Sequence, residues 1–297
     1  MRILFVTSNR IGDAVLSTGL LDHLLRRYPE ARFTVATGPV AEGVFLRMPR
    51  LERLILMEKR PYGRHWIGLW AACVGTLWDL VVDIRSAALP FTLAARRRAV
   101  RRRRGGHKTA QLAAILDLDP PPLPVAWTAP EDRARAAVLV PPGPPLLVLG
   151  PTANWTGKVW PPERFVDLAR ALLAGPMAGA RIVVLAGPGA QERALAAPVL
   201  AALPGAIDLA GAVSLPEAAA VLARAALFVG NDSGLMHLAA AAGAPTLGLF
   251  GPTPADEYAP AGRRTATAVA RGPHMADLDV ATALAAATGL IALDRAA

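Results

Sequence analysis

The chain is 297 residues long, 53% of them hydrophobic and 19% charged, with a formal net charge of +9 at pH 7. That length can support two ordinary cores, and that apolar share excludes a disordered chain. The basic excess points to an anionic partner (a phosphorylated substrate, an anionic membrane surface or nucleic acid), and the single cysteine excludes an internal disulfide and suggests a reducing compartment.

Met1 and Arg2 lead straight into a short apolar run, not into the long apolar core of a signal peptide, so a cytoplasmic location is expected. Residues 3–7 read as a buried strand, followed by the loop Ser8-Asn9-Arg10-Ile11-Gly12-Asp13 and an amphipathic helix over 14–27 that Pro29 stops. Residues 33–37 complete a βαβ opening. Gly12 alone does not supply the Gly-x-Gly-x-x-Gly spacing that lets a backbone approach a pyrophosphate, which counts against a nicotinamide dehydrogenase. Asp13 has two readings. It is either a first-turn carboxylate complementing the helix dipole, or a functional group at a strand's carboxyl end, where open α/β sheets bind ligands.

Strands are predicted at 54–57 and 80–84, with a helix over 65–77 between them. Trp66, Trp70 and Trp78 are spaced for one face or end of that helix, so core packing is expected. Cys73 reads as a small buried hydrophobe. Residues 65–82 come nearest to a membrane span, but Asp79 and two glycines favour a buried helix and strand. Residues 96–104 hold seven arginines in nine positions, readable as solvated surface or as an anion-binding patch. No aromatics are interleaved for base stacking, so nucleic acid is disfavoured as the partner. Prolines cluster at 120–122 and again at 141–145, and the second cluster is taken as the boundary between domains at 1–140 and 146–276.

The second half restarts with a strand at 146–149 and the loop Gly150-Pro151-Thr152-Ala153-Asn154-Trp155-Thr156-Gly157-Lys158-Val159-Trp160-Pro161, and a helix begins near Pro162. A phosphate at that loop would be held by Lys158, by the Thr152 or Thr156 hydroxyl and by backbone N–H groups. A strand at 182–186 precedes Gln191 and Glu192, where a first-turn carboxylate explains Glu192. Another strand at 206–209 leads to a capping box at Ser214 and Glu217. Then come a strand at 226–229, the turn Gly230-Asn231-Asp232-Ser233-Gly234, a helix over 235–242 and a strand at 245–250. Asp232 or Ser233 can cap that helix, and its free N–H groups can take an anionic oxygen. His237, four residues beyond Ser233, faces the same side of the helix. The loop Gly251-Pro252-Thr253-Pro254 follows, and an Ala-rich helix occupies 277–297.

Three stretches carry a resemblance. The string Asp232-Ser233-Gly234, two residues, His237, small residues, Gly243-x-Pro245, an apolar run and Phe250-Gly251-x-Thr253 resembles the C-terminal signature of glycosyltransferase family 9, the bacterial heptosyltransferases. Lys158-x-Trp160-Pro161 with Phe165 resembles a second signature, and Arg10-Ile11-Gly12-Asp13-Ala14-Val15-Leu16 resembles the N-terminal one. The resemblance spans roughly residues 1–254, in family order.

It implies an α/β fold of the GT-B type: two facing Rossmann-like domains with the active site in the interdomain cleft and the last helix packing back on the first domain. It implies an inverting glycosyltransferase that moves a sugar, heptose from ADP-heptose by family precedent, to a lipopolysaccharide core or related surface glycolipid. Asp13 is then the general base and Lys158 the group that stabilises the leaving diphosphate. Donor binding falls to Thr152, Asn154, Thr156, Lys158, Glu192, Asp232, Ser233, Gly234 and His237, with Glu192 standing near the acidic residue that binds the ribose in relatives. Asn154 departs from the Thr of some relatives. The acceptor falls to Ser8, Asn9, Arg10 and Arg101, Arg102, Arg103 and Arg104. No metal or other cofactor is implied, and nucleic acid is not among the expected partners. The location is cytoplasmic, with peripheral contact at the inner face of the inner membrane left open. Two rival readings are a non-catalytic nucleotide-sugar or anionic-glycan binder and a nucleotide-sugar epimerase or hydrolase on the same fold.

Overall fold

The computed structural model describes residues 1–85, 88–101 and 105–296. They divide into two compact units, Met1–Trp127 and Thr128–Ala297. The first holds five parallel strands: β1 (Arg2–Val6), β2 (Arg32–Thr37), β3 (Leu51–Leu56), β4 (Leu80–Asp83) and β5 (Arg98–Val100), in the order β3-β2-β1-β4-β5. The second holds β6 (Leu146–Gly150), β7 (Arg181–Ala186), β8 (Ile207–Ala210), β9 (Leu227–Asn231), β10 (Thr246–Phe250) and β11 (Thr265–Val269), in the order β11-β10-β9-β6-β7-β8. Each unit is a doubly wound parallel sheet. β1, β4, β6, β9 and β10 are buried along nearly their whole length, which is why they read as continuous apolar runs and not as alternating patterns.

Strand order fixes where ligands belong. In the first sheet the chain winds one way through β1-β2-β3 and the other way through β4-β5, so the crevice opens between β1 and β4. In the second sheet the reversal falls between β6 and β9. Loops at the carboxyl ends of those four strands are the expected binding loops.

The helix Ile11–Arg27 buries Leu16, Leu20, Leu21 and Leu24 on the first sheet, and the helix Pro162–Leu173 buries Phe165, Val166, Leu168, Ala169 and Leu172 on the second, at the spacing of a single helical face. Pro162 sits in the first turn, where its missing N–H costs no hydrogen bond. The capping box of the helix Leu215–Leu222 is present: Glu217 accepts from the Ser214 N–H at 2.7 Å. Cys73 is fully buried in the first core, and burial pushes its thiol up to about 11, opposed by nearby Arg53. Among the described residues, no helix is long and apolar enough to cross a membrane.

Several expectations are corrected here. The helix Pro130–Leu139, assigned by sequence to the first half, packs on the helix Leu215–Leu222 of the second unit, and Arg224 donates to the Ala136 carbonyl at 3.1 Å. The division therefore falls at 127/128. The prolines at 141–145 are a spacer inside the second unit, held by Arg181 donating to the Pro141 carbonyl at 2.6 Å. The terminal helix, Val280–Ala296, buries Ala283, Ala287, Leu290 and Ile291 in the core of the second unit. Its small apolar face matches the helix Pro162–Leu173 and β11 beneath it. The tryptophans do not share a core face, because the helix Arg64–Cys73 ends before Trp78. Trp78 is buried beside β4, Trp66 is half-buried, and Trp70 is 41% exposed.

Gly19 marks a close approach. A Cβ there would lie 2.6 Å from the Pro122 carbonyl oxygen and 2.9 Å from that of Leu123, so the helix Ile11–Arg27 meets the backbone of residues 122–123 with no room for a methyl group. In an open helix Gly→Ala stabilises by about 1 kcal/mol. Here the sign reverses. Gly19→Ala is expected to lower the unfolding free energy by about 1–3 kcal/mol, measured by urea denaturation, and a stabilised variant would contradict the close approach.

Candidate functional site

In the second unit the loop after β6 is pinned from three sides at Trp160. Its backbone N–H donates to Asn231 Oδ1 at 3.0 Å, its indole N–H donates to the Leu278 carbonyl at 2.9 Å, and its ring meets Phe165 edge-on at 5.1 Å between centroids. Two residues earlier, Lys158 closes the short helical turn Thr156–Lys158 and reaches across the crevice end. Its Nζ lies 2.7 Å from Asp232 Oδ2, next to the carboxyl end of β9. The pair is largely buried, with Lys158 at 22% and Asp232 at 6% side-chain exposure, so solvent screens it little. His237 is buried too, its Nε2 3.9 Å from Asp232 Oδ1.

The reading of Asp232 or Ser233 as a side-chain cap is corrected. Ser233 is the N-cap of the helix Gly234–Ala241 by backbone geometry, but its side chain makes no capping bond, and Asp232 is engaged with Lys158. The buried Ser233 hydroxyl and Asn231 Nδ2 have no hydrogen-bond partner among the described residues. Gly234 opens the helix, so the unpaired N–H groups of its first turn gather at the same point. An ammonium, an amide donor, a hydroxyl and a helix start therefore belong to the loop after β6 and to neighbouring residues 231–234 after β9. Buried donors without acceptors are costly unless something accepts from them. An anion held at this spot would do so.

Thr152 is buried and donates to Glu192 Oε2 at 2.7 Å, while the Gly187 N–H donates to the same oxygen at 2.8 Å. Glu192 thus ties the loop after β6 to the loop after β7. Asn154 and Thr156 are exposed on the β6 loop.

In the first unit Ser8, Asn9, Arg10 and Asp13 lie together after β1, at that sheet's reversal. Ser8 Oγ donates to Asp13 Oδ2 at 3.3 Å, and the Arg10 N–H donates to Ser8 Oγ at 3.2 Å. Asp13 stands half-buried in the first turn of its helix, so the dipole role and a chemical role are both open to it. Asn9 lies against Gly38, where any Cβ would meet it at 2.7 Å, and it accepts from Arg85 Nη1 at 3.1 Å.

Sequence reasoning missed Arg85 and Asn231. Arg85 follows β4, the other strand of the first crevice. Its backbone N–H donates to buried Asp83 at 2.7 Å, and its guanidinium lies over the Trp66 ring at 4.8 Å. Burial lowers its basicity, which Asp83 partly restores. Placement after an apolar run ending in Asp83 was a usable signal for Arg85. Asn231 had none, being one polar residue in a turn already read for its neighbours.

In the described part of the arginine run, Arg96, Arg97, Arg98 and Arg101 each have a partner within the protein. Arg98 lies in β5 and donates to the carbonyls of Pro90, Ala95 and Leu93, so it braces the sheet edge. Arg96 pairs with Asp79 at 3.4 Å, Arg97 donates to the Tyr28 hydroxyl at 3.1 Å, and Arg101 donates to Gln111 at 3.3 Å. The remaining acceptor-side candidates, Arg102, Arg103 and Arg104, lie outside the described residues. Among the described residues, no group of three or more His, Cys, Asp or Glu is placed to hold a metal ion.

Comparison with known proteins places this geometry in company. The family model for glycosyltransferase family 9 (heptosyltransferase) matches residues 79–287. Lipopolysaccharide heptosyltransferase 2 of Salmonella typhimurium is 27% identical over 86% of this chain and 84% of its own length. Among solved structures, E. coli ADP-heptose lps heptosyltransferase II superposes with a TM-score of 0.77 at 22% identity, over 99% of this chain and 100% of that one. A family 9 glycosyl transferase from Veillonella parvula superposes with a TM-score of 0.80 at 18% identity, over 98% and 97%. At those identities the likeness fixes the GT-B fold.

Breaking the central pair is expected to be felt in stability. Lys158→Met leaves a buried carboxylate uncompensated and should cost about 1–3 kcal/mol, below the value for a fully buried pair because Lys158 is partly exposed. The double change Lys158→Met with Asp232→Asn should recover part of that loss. Urea denaturation of the four proteins tests it, and additive losses would show that the two side chains are not coupled.

Proposed function

The chain belongs to glycosyltransferase family 9, and from that premise we propose that it moves heptose from ADP-heptose to an anionic glycolipid acceptor of lipopolysaccharide core assembly, inverting the anomeric centre. The observation that carries the reading is the Lys158–Asp232 pair at the β6/β9 reversal, with Ser233 Oγ and Asn231 Nδ2 buried and unpaired beside it. Those groups suit a nucleotide diphosphate: several donors, one of them cationic, around a small anionic volume.

In this reading the donor diphosphate displaces Asp232 as the main partner of Lys158. Asp232 keeps the ammonium extended across the crevice until the donor arrives. As the bond from the anomeric carbon to the diphosphate breaks, Lys158, the Ser233 hydroxyl and the helix start at Gly234 stabilise the growing negative charge. His237 steadies Asp232 from behind. Glu192 holds the β6 and β7 loops together and offers its carboxylate to the ribose, while Asn154 and Thr156 border the donor from the exposed side.

On the acceptor side, Asp13 takes the proton from the attacking hydroxyl as general base. Ser8 orients it, and Asn9, Arg10 and Arg101 contact the acceptor, with Arg102, Arg103 and Arg104 extending that contact. A pure binding module needs the donor groups but no base beside the acceptor. An epimerase or hydrolase turns over the nucleotide sugar with no acceptor. Incubation with ADP-heptose and a panel of truncated lipooligosaccharides, read by mass, separates the three: transfer needs both substrates and adds one heptose.

Asp13→Asn is expected to lower turnover by a factor on the order of 100 to 10,000 and to leave ADP affinity unchanged. Turnover near that of the unaltered protein would reduce Asp13 to a helix-dipole carboxylate.

A further inference from the structure

One surface of the first unit is not used by any step above. The helix Arg64–Cys73 buries Leu69 and Cys73 in the core and turns the opposite face outward. That face continues past the helix end. Ile67 is 65% exposed, Trp70 41% and Leu77 56%, with Val74 between them, at spacings of three and four residues. Tyr62 precedes the helix and is fully exposed, on a backbone held in the left-handed region (φ 53°, ψ 26°) that turns it away from the core. Beside Ile67 and Trp70 opens an apolar groove of about 540 Å³, lined also by Trp66, Leu89 and Thr92 with Arg85 as its charged group. Phe91, on the neighbouring turn, is 67% exposed.

Charge decides what such a face fits. Residues 59–78 contain no aspartate or glutamate. The exposed cations Lys59, Arg60 and Arg64 stand at the entry to the helix. Exposed Glu58 precedes Lys59, so the cations outnumber the carboxylate at this entry three to one. A helix that shows aliphatic and indole side chains outward, next to such an excess of cations, has the chemistry of a segment lying in a lipid–water interface. Aliphatic groups enter the acyl boundary, the Tyr and Trp rings sit at head-group depth, and the cations meet lipid phosphates.

We propose that this face, Tyr62, Ile67, Trp70, Val74 and Leu77 with Lys59, Arg60 and Arg64, docks the chain on the surface of an anionic phospholipid bilayer. The proposal goes beyond the transferase reading and does not rest on it, since docking needs no donor, acceptor or turnover.

The test is co-sedimentation of the full chain with vesicles of phosphatidylcholine alone and of phosphatidylcholine mixed with phosphatidylglycerol. Two variants are compared, Ile67→Ser with Trp70→Ser, and Lys59→Gln with Arg60→Gln and Arg64→Gln. ADP titration of each variant serves as the readout of an intact second unit, and thermal unfolding serves as the readout of an intact first unit. Expected is binding to the mixed vesicles that weakens with salt. The apolar variant should lose it at every salt concentration. The charge variant should weaken by about fivefold for each cation removed and become insensitive to salt. ADP affinity and the thermal midpoint should hold in both. Absence of binding to mixed vesicles, or binding unaltered in the apolar variant, would overturn the proposal. So would a concentration-dependent dimer in gel filtration that the apolar variant abolishes without any vesicle binding, which would assign the face to a second copy of the chain.

Discussion

Everything on the donor side depends on one ion pair placed at a strand reversal. Lys158 comes from the loop after β6 and Asp232 from the turn after β9, strands that are adjacent in space and far apart in the chain. A lysine side chain has many rotamers, and holding it extended costs entropy. Two arrangements meet that cost. Trp160 fixes the backbone two residues away through Asn231, Leu278 and Phe165, and Asp232 fixes the ammonium itself. The cation is thus in place before any ligand binds, and a group held in advance contributes more to binding and to transition-state stabilisation than one that must be ordered. Its carboxylate partner carries less charge than a diphosphate, so in the proposed reading exchange of partners favours the diphosphate.

The first unit has a similar topology, and the proposed reading gives it a different chemistry. Its reversal lies between β1 and β4, and the loops there bring Ser8, Asn9 and Asp13 from one strand and Asp83 and Arg85 from the other. No lysine–aspartate pair forms at this place. Ser8 donates to Asp13 at 3.3 Å, a long contact that leaves the carboxylate adaptable, which supports the proposed reading of Asp13 as a proton acceptor. Arg85 is fixed by Asn9 and the Trp66 ring and gives this end of the sheet a cation of its own. One fold, used twice, therefore separates a site rich in donors from a site built around a carboxylate.

Most of this was legible in the residues. Continuous apolar runs at β1, β4, β6, β9 and β10 give buried parallel strands, and the polar turns that follow them locate both crevices. Lys158 and Asp232 were both singled out, but their pairing was not, because a contact between residues 74 apart has no local signature. The misreadings have physical causes. Trp70 is at a helical spacing from Trp66 that suits a core, yet periodicity cannot say which side of a helix faces the sheet. The prolines at 141–145 are stiff whether or not a domain ends there, and the boundary was set by the helix Pro130–Leu139 finding its partner in Leu215–Leu222. Arg98 satisfies three backbone carbonyls at a sheet edge, a use that composition cannot reveal. The family signatures supplied what local physics could not, namely which of the polar turns the proposed reading assigns to chemistry.

The most direct measurement of the donor-site account is calorimetric titration of ADP into the unaltered protein and into Lys158→Ala. Lys158 provides a charge-assisted contact in a partly dry site, so its loss should weaken ADP binding by about 10- to 100-fold. AMP, which lacks the second phosphate, should lose less. The salt dependence of ADP binding should also flatten in the variant. ADP binding of equal strength in both proteins would contradict the account and place the diphosphate away from the β6/β9 reversal.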